Sequence, residues 1–187
     1  ISMAFMFYYC SFLQKINLSN FDSSLVINMD YMFYNCFNLK SINLTNFYFL
    51  SLKNISYMFT SCFSLSYFYQ PYYKINNLED MKYMFQNCYT INELNLSNFD
   101  TSLVTDMSYM FFNCSSLQII DISNFDMTNC SSFQDIFTNT YQLKYLDLYN
   151  VKNSYISISY LFNAIDTIIF VCQKDEIIIN QNIYNCC

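Results

Sequence analysis

The cysteines are the residues of this chain with the most chemistry to offer. Five of them stand at a fixed interval of 26 residues, Cys10, Cys36, Cys62, Cys88 and Cys114, each directly behind a Met-Phe-x-x tetrad. A column of thiols admits three uses: a metal site, a chain of disulfides, or packing. Zinc needs four ligands converging on a point, whereas equivalent positions in a stack form a straight file, and the chain has no histidine to complete a set. Disulfides come nearer in distance, but stacked side chains hold their Cβ atoms at the ~4.8 Å spacing of paired strands, and a bridge prefers about 3.8 Å. The file therefore predicts reduced, buried thiols serving as small hydrophobes, with no metal and no cofactor, and Thr140 in the same slot agrees. Cys130 fits the same role, because it falls where Val26, Leu52, Leu78 and Val104 fall in other repeats. Cys172, Cys186 and Cys187 lie off the file, and a bridge from Cys172 to either of the last two stays open.

Catalysis finds few of its usual parts. Without histidine, arginine or glycine the chain lacks the common general base, the phosphate clamp and the glycine loop. Asp121 and Asp147 occupy the same slot of consecutive repeats, and their separation would approach the ~5 Å of a retaining glycosidase. No cleft or sugar platform accompanies them, so they read as a solvated acidic patch, and the chain is expected not to be an enzyme.

Contact residues are the better candidates. Between the inward slots of each repeat stand pairs that must face solvent: Lys15 and Asn17, Ser41 and Asn43, Tyr67 and Tyr69, Glu93 and Asn95, Ile119 and Asp121, Tyr145 and Asp147. Tyr67 and Tyr69, followed by Pro71, Tyr72 and Tyr73, are the richest spot, since tyrosine offers large contact area and a polar tip at small entropic cost. The expected ligand surface is Tyr67 and Tyr69 flanked by Asn43 and Asn95, with Glu93, Asp121, Tyr145 and Asp147 beyond, and its expected partner is a protein or a glycan. In a chain holding 19 tyrosines, plain surface filling is the competing reading. Asn-x-Ser/Thr sequons at Asn17, Asn43, Asn54, Asn95, Asn113 and Asn129 follow from the repetition itself, and glycans at Asn17, Asn43 and Asn95 would cover the same face.

These side chains are positioned by the repeat. Counting each cysteine as zero, apolar residues recur at three, six and eight, as in Leu39, Ile42 and Leu44 or Leu117, Ile120 and Ile122. That L-x-x-L-x-L spacing is the strand signature of a leucine-rich-repeat-like solenoid, with slots six and eight inward and five and seven outward on the concave side. An aromatic slot follows, filled by Phe21, Phe47, Tyr73, Phe99 and Phe125, behind a column Asn20, Asn46, Asn98, Asn124 and Asn150 expected to make left-handed turns. Later in each repeat Asn28, Asn54, Asp80, Asp106 or Ser132 precedes an i, i+3, i+4 apolar stripe such as Met29, Met32 and Phe33. This pattern predicts an N-capped short helix on the convex side, hence an α/β solenoid with one short parallel strand per rung.

A half repeat and six repeats, the third atypical, make a solenoid over 1–164, and 165–187 reads as a C-terminal capping segment that covers the last rung. The opening Ile1-Ser2-Met3 aligns with Ile27-Asn28-Met29, halfway through a repeat, so the sequence reads as a piece of a longer protein. With 54% apolar residues the chain can fill a core. A net charge of −6 carried by eight lysines and no arginine argues against nucleic acid, and no apolar run reaches the ~18 residues of a membrane helix.

The strings Asn95-Leu96-Ser97-Asn98-Phe99-Asp100-Thr101-Ser102 and Val104-Thr105-Asp106-Met107-Ser108-Tyr109-Met110-Phe111, closing on Cys114-Ser115-Ser116-Leu117, resemble the BspA-like leucine-rich repeat surface proteins over about residues 1–164. The resemblance implies a cell-surface or secreted binding protein, often linked to adhesion, with no catalytic residue to carry over. A purely structural spacer or stalk within a larger surface protein is the alternative. The third repeat departs from the pattern, with Phe68-Tyr69-Gln70-Pro71-Tyr72-Tyr73 where L-N-L-S-N-F is usual, and is expected to bulge or to carry something special.

Overall fold

A computed structural model describes residues 1–147, 169–172 and 183–185. Its strands are β1 (Ser41–Asn43), β2 (Tyr67–Tyr69), β3 (Glu93–Asn95), β4 (Ile119–Asp121), β5 (Tyr145–Asp147), β6 (Ile169–Cys172) and β7 (Ile183–Asn185). From β1 to β5 each strand is three residues long and starts 26 residues after its predecessor. Strand side chains alternate, so the middle residues Ile42, Leu94, Ile120 and Leu146 are buried and the flanking pair on each strand faces away from the core. Pairing is parallel and in step, Ser41 opposite Tyr67, Glu93 opposite Ile119, Ile119 opposite Tyr145. β6 and β7 carry the ladder on with shorter spacings, Tyr145 opposite Phe170 and Ile169 opposite Ile183. The rest of the expected capping segment, including Cys186 and Cys187, lies outside the described residues.

The expected convex helices are not there. Among the described residues there is no helix, and the stripe that promised one is an arc of consecutive turns. In the second rung Met32 donates its N–H to the Met29 carbonyl at 3.3 Å, Tyr34 to Tyr31 at 3.2 Å and Cys36 to Phe33 at 3.1 Å. The N–H groups between them turn to the next rung: Met29 to Asn54, Tyr31 to Ser56, Phe33 to Met58 and Asn35 to Thr60, at 2.9 to 3.1 Å. The same alternation recurs at 3–9, 55–61, 81–87 and 107–113. A helix would have spent all these donors locally. Helices are also about 10 Å across and cannot stack at the ~4.8 Å repeat that the strands impose, whereas turns can. A file of parallel bridges, Ser2 to Asn28 to Asn54 to Asp80 to Asp106 to Ser132, holds the turn side at that same spacing.

Asn28, Asn54, Asp80 and Asp106 accordingly are not helix caps. Each uses its side-chain oxygen to accept the N–H two residues on, at 2.8 to 3.0 Å, which starts the arc as an Asx turn. Left-handed backbone also falls elsewhere than expected. Asn20, Asn46, Asn98 and Asn124 do not adopt it. Apart from Asn77, positive φ falls in the arcs, on the third residue of successive turns such as Tyr31, Tyr57, Tyr83 and Tyr109 at 54° to 58° and Asn35, Ser61, Asn87, Asn113 and Asn139 at 58° to 63°. A positive φ at that place defines a type II turn, for which glycine or asparagine is the usual choice. In this glycine-free chain tyrosine takes the middle position of four consecutive arcs, and stacking accompanies it. Tyr31 lies on Tyr57 with ring centroids 4.5 Å apart, Tyr57 on Tyr83 at 4.5 Å and Tyr83 on Tyr109 at 4.8 Å.

Between strand and arc runs the core. Its spine is a file of phenylalanines, Phe7, Phe33, Phe59, Phe85, Phe111 and Phe137, with successive centroids 5.2 to 6.1 Å apart and near-parallel planes. The third rung interrupts the stack on one side only. β2 keeps its register with β1, but β2 and β3 are not paired, so the strands form two sheets, β1–β2 and β3–β7. Tyr73 leaves the aromatic slot assigned to it, stacks on Tyr48 at 5.5 Å and accepts the Phe49 N–H on its hydroxyl. Ile75 pairs with Phe99 in its place, a register of 24 rather than 26 residues. A small apolar gap of about 10 Å³ remains among residues that include Leu44, Phe49, Ile75 and Phe99.

Candidate functional site: the strand face of the third rung

From Cys36 onward the thiol file lies deep, whereas Cys10, expected to be buried, is exposed because no full rung covers it. Cys36, Cys62, Cys88 and Cys114 are fully buried and free, and each donates its S–H to a carbonyl of the preceding rung, to Phe7, Phe33, Phe59 and Phe85 at 3.1 to 3.2 Å. Burial pushes the Cys36 and Cys114 thiols up to about 12, and Cys62 and Cys88 well above the usual value. A thiolate is the form that reacts or ligates, so these sulfurs are held in the unreactive state. Thr140, in the same slot, turns its hydroxyl to the Phe137 carbonyl of its own rung at 2.7 Å. The Cys172 side chain lies outside the described residues, as does the bridge left open for it.

On the strand face the structure places the expected contact residues in one field. Tyr67 and Tyr69 flank the half-buried Phe68 on β2 and are 60% and 50% exposed. Asn43 on β1 pairs in register with Tyr69, while Glu93 and Asn95 sit on β3 across the unpaired seam. Ile119, Asp121 and Tyr145 continue the face on β4 and β5, and the Asp147 side chain lies outside the described residues. The Asp121 and Asp147 backbones are partners in the ladder.

The position-seven residues also serve the fold. Asn43 Oδ1 accepts both the N–H and the hydroxyl of Thr45, at 2.9 and 2.7 Å. Asn95 does the same for Ser97 at 2.9 and 2.7 Å, and Asp121 for Ser123 at 3.1 and 2.6 Å. Each is an Asx turn that ends its strand and fixes the side-chain rotamer. Fixing the oxygen settles where the amide nitrogen of Asn43 and Asn95 must point, away from the turn.

Sequence reasoning missed Gln70. It stands in slot eight, where Leu18, Leu44, Leu96 and Ile122 point inward, and a polar residue in an apolar column was the available signal. Its Nε2 donates to Asn95 Oδ1 at 2.8 Å, and its Oε1 accepts the Asn98 N–H at 3.3 Å. Asn98 Nδ2 in turn reaches the Pro71 carbonyl at 2.8 Å. Side chains thus bridge the seam where a backbone ladder runs elsewhere. Tyr72, 84% exposed, and the Tyr48–Tyr73 stack add three more rings beside it.

In-step parallel strands, a thiol file and an asparagine ladder, in which Asn139 donates to Asn113 at 2.7 Å and Asn113 to Asn87 at 2.9 Å, define a leucine-rich-repeat-like stack. The chain belongs to the family DUF285, described as a Mycoplasma protein of unknown function, which matches it over residues 1–92 and again over 70–169. No curated protein and no solved structure matches it. Among the described residues no helix is long and apolar enough to cross a membrane.

Proposed function

We propose that the chain is a non-catalytic binding module of a cell-surface or secreted protein, contacting a protein or glycan through its strand face with the third rung as the centre. The observation that carries this reading is the exposure of Tyr67 and Tyr69 beside the unpaired seam between β2 and β3. Aromatic side chains held out on a rigid sheet lose little entropy when a partner covers them. Resemblance to the BspA-like surface proteins supports the same location and an adhesive role, and the lack of histidine, arginine and glycine weighs against catalysis. One observation favours the spacer alternative: Asn43 and Asn95 recur because their Asx turns close strands, a purely structural reason for them to be there.

The test is retention of the chain on an array of immobilised glycoproteins, native and enzymatically deglycosylated, beside the Tyr67→Ala/Tyr69→Ala variant. At least about a tenfold loss of retention in the variant, with an unchanged thermal midpoint, is the expected result. Equal retention removes the tyrosines from the site, and no retention of the unmodified chain leaves the spacer.

A further inference from the structure

A groove of about 230 Å³ opens beside the first two rungs, lined by Asn17, Ser19, Asn43 and Asn46 as well as by Ile16 and Phe47. Asn17 Oδ1 accepts the Ser19 N–H at 3.0 Å, so it is locked in the same Asx turn as Asn43. Both amide oxygens are thereby occupied, and the Nδ2 groups of Asn17, Asn43 and Asn46, with the Ser19 hydroxyl, have no partner among the described residues. The groove therefore presents two amide donors oriented by their turns, a third amide on Asn46 and a hydroxyl, with no ionisable side chain in its lining. Its volume falls below the ~300 Å³ at which sites for drug-sized molecules begin, so it suits a single small ring.

We infer that this groove is a subsite for one neutral pyranose residue, whose hydroxyls accept from the Asn17, Asn43 and Asn46 amides while a C–H face rests on the half-buried Ile16. A neutral lining argues against phosphate, carboxylate or ammonium ligands, which would arrive desolvated with nothing to balance their charge. The inference rests on the strand-face binding reading and adds to it a second contact, on residues separate from Tyr67 and Tyr69. A single ring of about a dozen heavy atoms, at the efficiency usual for small ligands, binds with a dissociation constant on the order of 1 mM.

Titration with the methyl glycosides of glucose, galactose, mannose and N-acetylglucosamine, read by the side-chain amide resonances of Asn17, Asn43 and Asn46, tests it. Asn17→Asp/Asn43→Asp is the informative variant. Asp121 makes the same Asx turn with Ser123, so the exchange keeps the turns and replaces two donors with acceptors. One glycoside shifting all three resonances, at least tenfold weaker in this variant and unchanged in Tyr67→Ala/Tyr69→Ala, is the expected result. Glycosides without effect at about 100 times the expected dissociation constant overturn the subsite, as does undiminished binding to the Asp variant. Binding lost only in the tyrosine variant also overturns it, while leaving the third rung as the sugar contact.

Discussion

At the scale of single residues the cysteine file shows what a repeated slot selects. A fully buried thiol there fills a small apolar volume and also gives the carbonyl of the rung below a second donor, beside the turn N–H that Cys36 supplies to Phe33 and Cys62 to Phe59. Cys62→Ala removes both contributions and is expected to cost about 1 to 2 kcal/mol in denaturant unfolding, more than the loss of one atom's burial alone. The thiols also set an alkaline limit. Cys36 and Cys114 titrate near 9.0 when unfolded and at about 12 when folded, so the fold binds the extra protons and their contribution is complete below about pH 9. It is lost as pH rises from about 9 to about 12, and the urea midpoint should stay level across neutral pH and fall through that window. A midpoint independent of pH in that range would mean that the file is solvated. A thiol-labelling reagent at pH 8 should modify Cys10, the exposed member of the file, while Cys36, Cys62, Cys88 and Cys114 wait for unfolding. The sequence made burial of these residues legible through their period. It could not show the S–H donors, because which carbonyl lies over a thiol depends on the turn geometry of another rung.

At the scale of elements the instructive case is the arc that read as a helix. Type II turns close i to i+3, and so Met29, Met32 and Phe33 fall on one side in a tandem-turn arc as they would in a helix. Over eight residues the two periodicities are indistinguishable. Rung spacing decides between them, and it is a property of the stack that no single repeat contains. What the sequence did carry was one file of left-handed sites, as a column of Asn35, Asn87, Asn113 and Asn139 one residue before each cysteine slot, with Tyr9 and Ser61 as exceptions. Asparagine tolerates this conformation better than serine, and here it also forms a ladder that Ser61 joins only through its hydroxyl, from Asn87 at 3.3 Å. Ser61→Asn should therefore stabilise the chain by about 0.5 to 1 kcal/mol, whereas Ser61→Gly, which relieves the backbone but ends the ladder, should gain less. If thermal unfolding ranks the two in the opposite order, backbone strain outweighs the ladder.

At the scale of the whole molecule a stack is as strong as its interfaces, since each rung touches only its neighbours. The interface between the third and fourth rungs is intact on the turn side, where Ile55, Tyr57, Phe59 and Ser61 donate to Asp80, Lys82, Met84 and Gln86 at 2.8 to 3.1 Å. On the strand side it is open. Ile119 donates its N–H to the Asn92 carbonyl at 3.2 Å and Leu96 to Asp121 at 3.1 Å, but the equivalent N–H groups of Glu93 and Gln70 have no backbone acceptor among the described residues. Two consequences separate this seam from an ordinary rung contact. Amide exchange in the native state should be fast at Glu93 and Gln70 and slow at Ile119 and Leu96, although Glu93 matches Ile119 and Gln70 matches Leu96 in slot. Restoring the repeat with Gln70→Leu, Pro71→Ser, Tyr72→Asn and Tyr73→Phe, which copies Leu96-Ser97-Asn98-Phe99, should return an aromatic ring to its slot, rejoin β2 to β3, and raise the unfolding midpoint. The repaired chain keeps Tyr67 and Tyr69, but on a continuous sheet without the Gln70 bridge to Asn95. Retention on the glycoprotein array should fall if the opened seam shapes the contact surface. Full retention by a repaired and more stable chain would show that the tyrosines act alone, and that the irregular rung serves no purpose in binding.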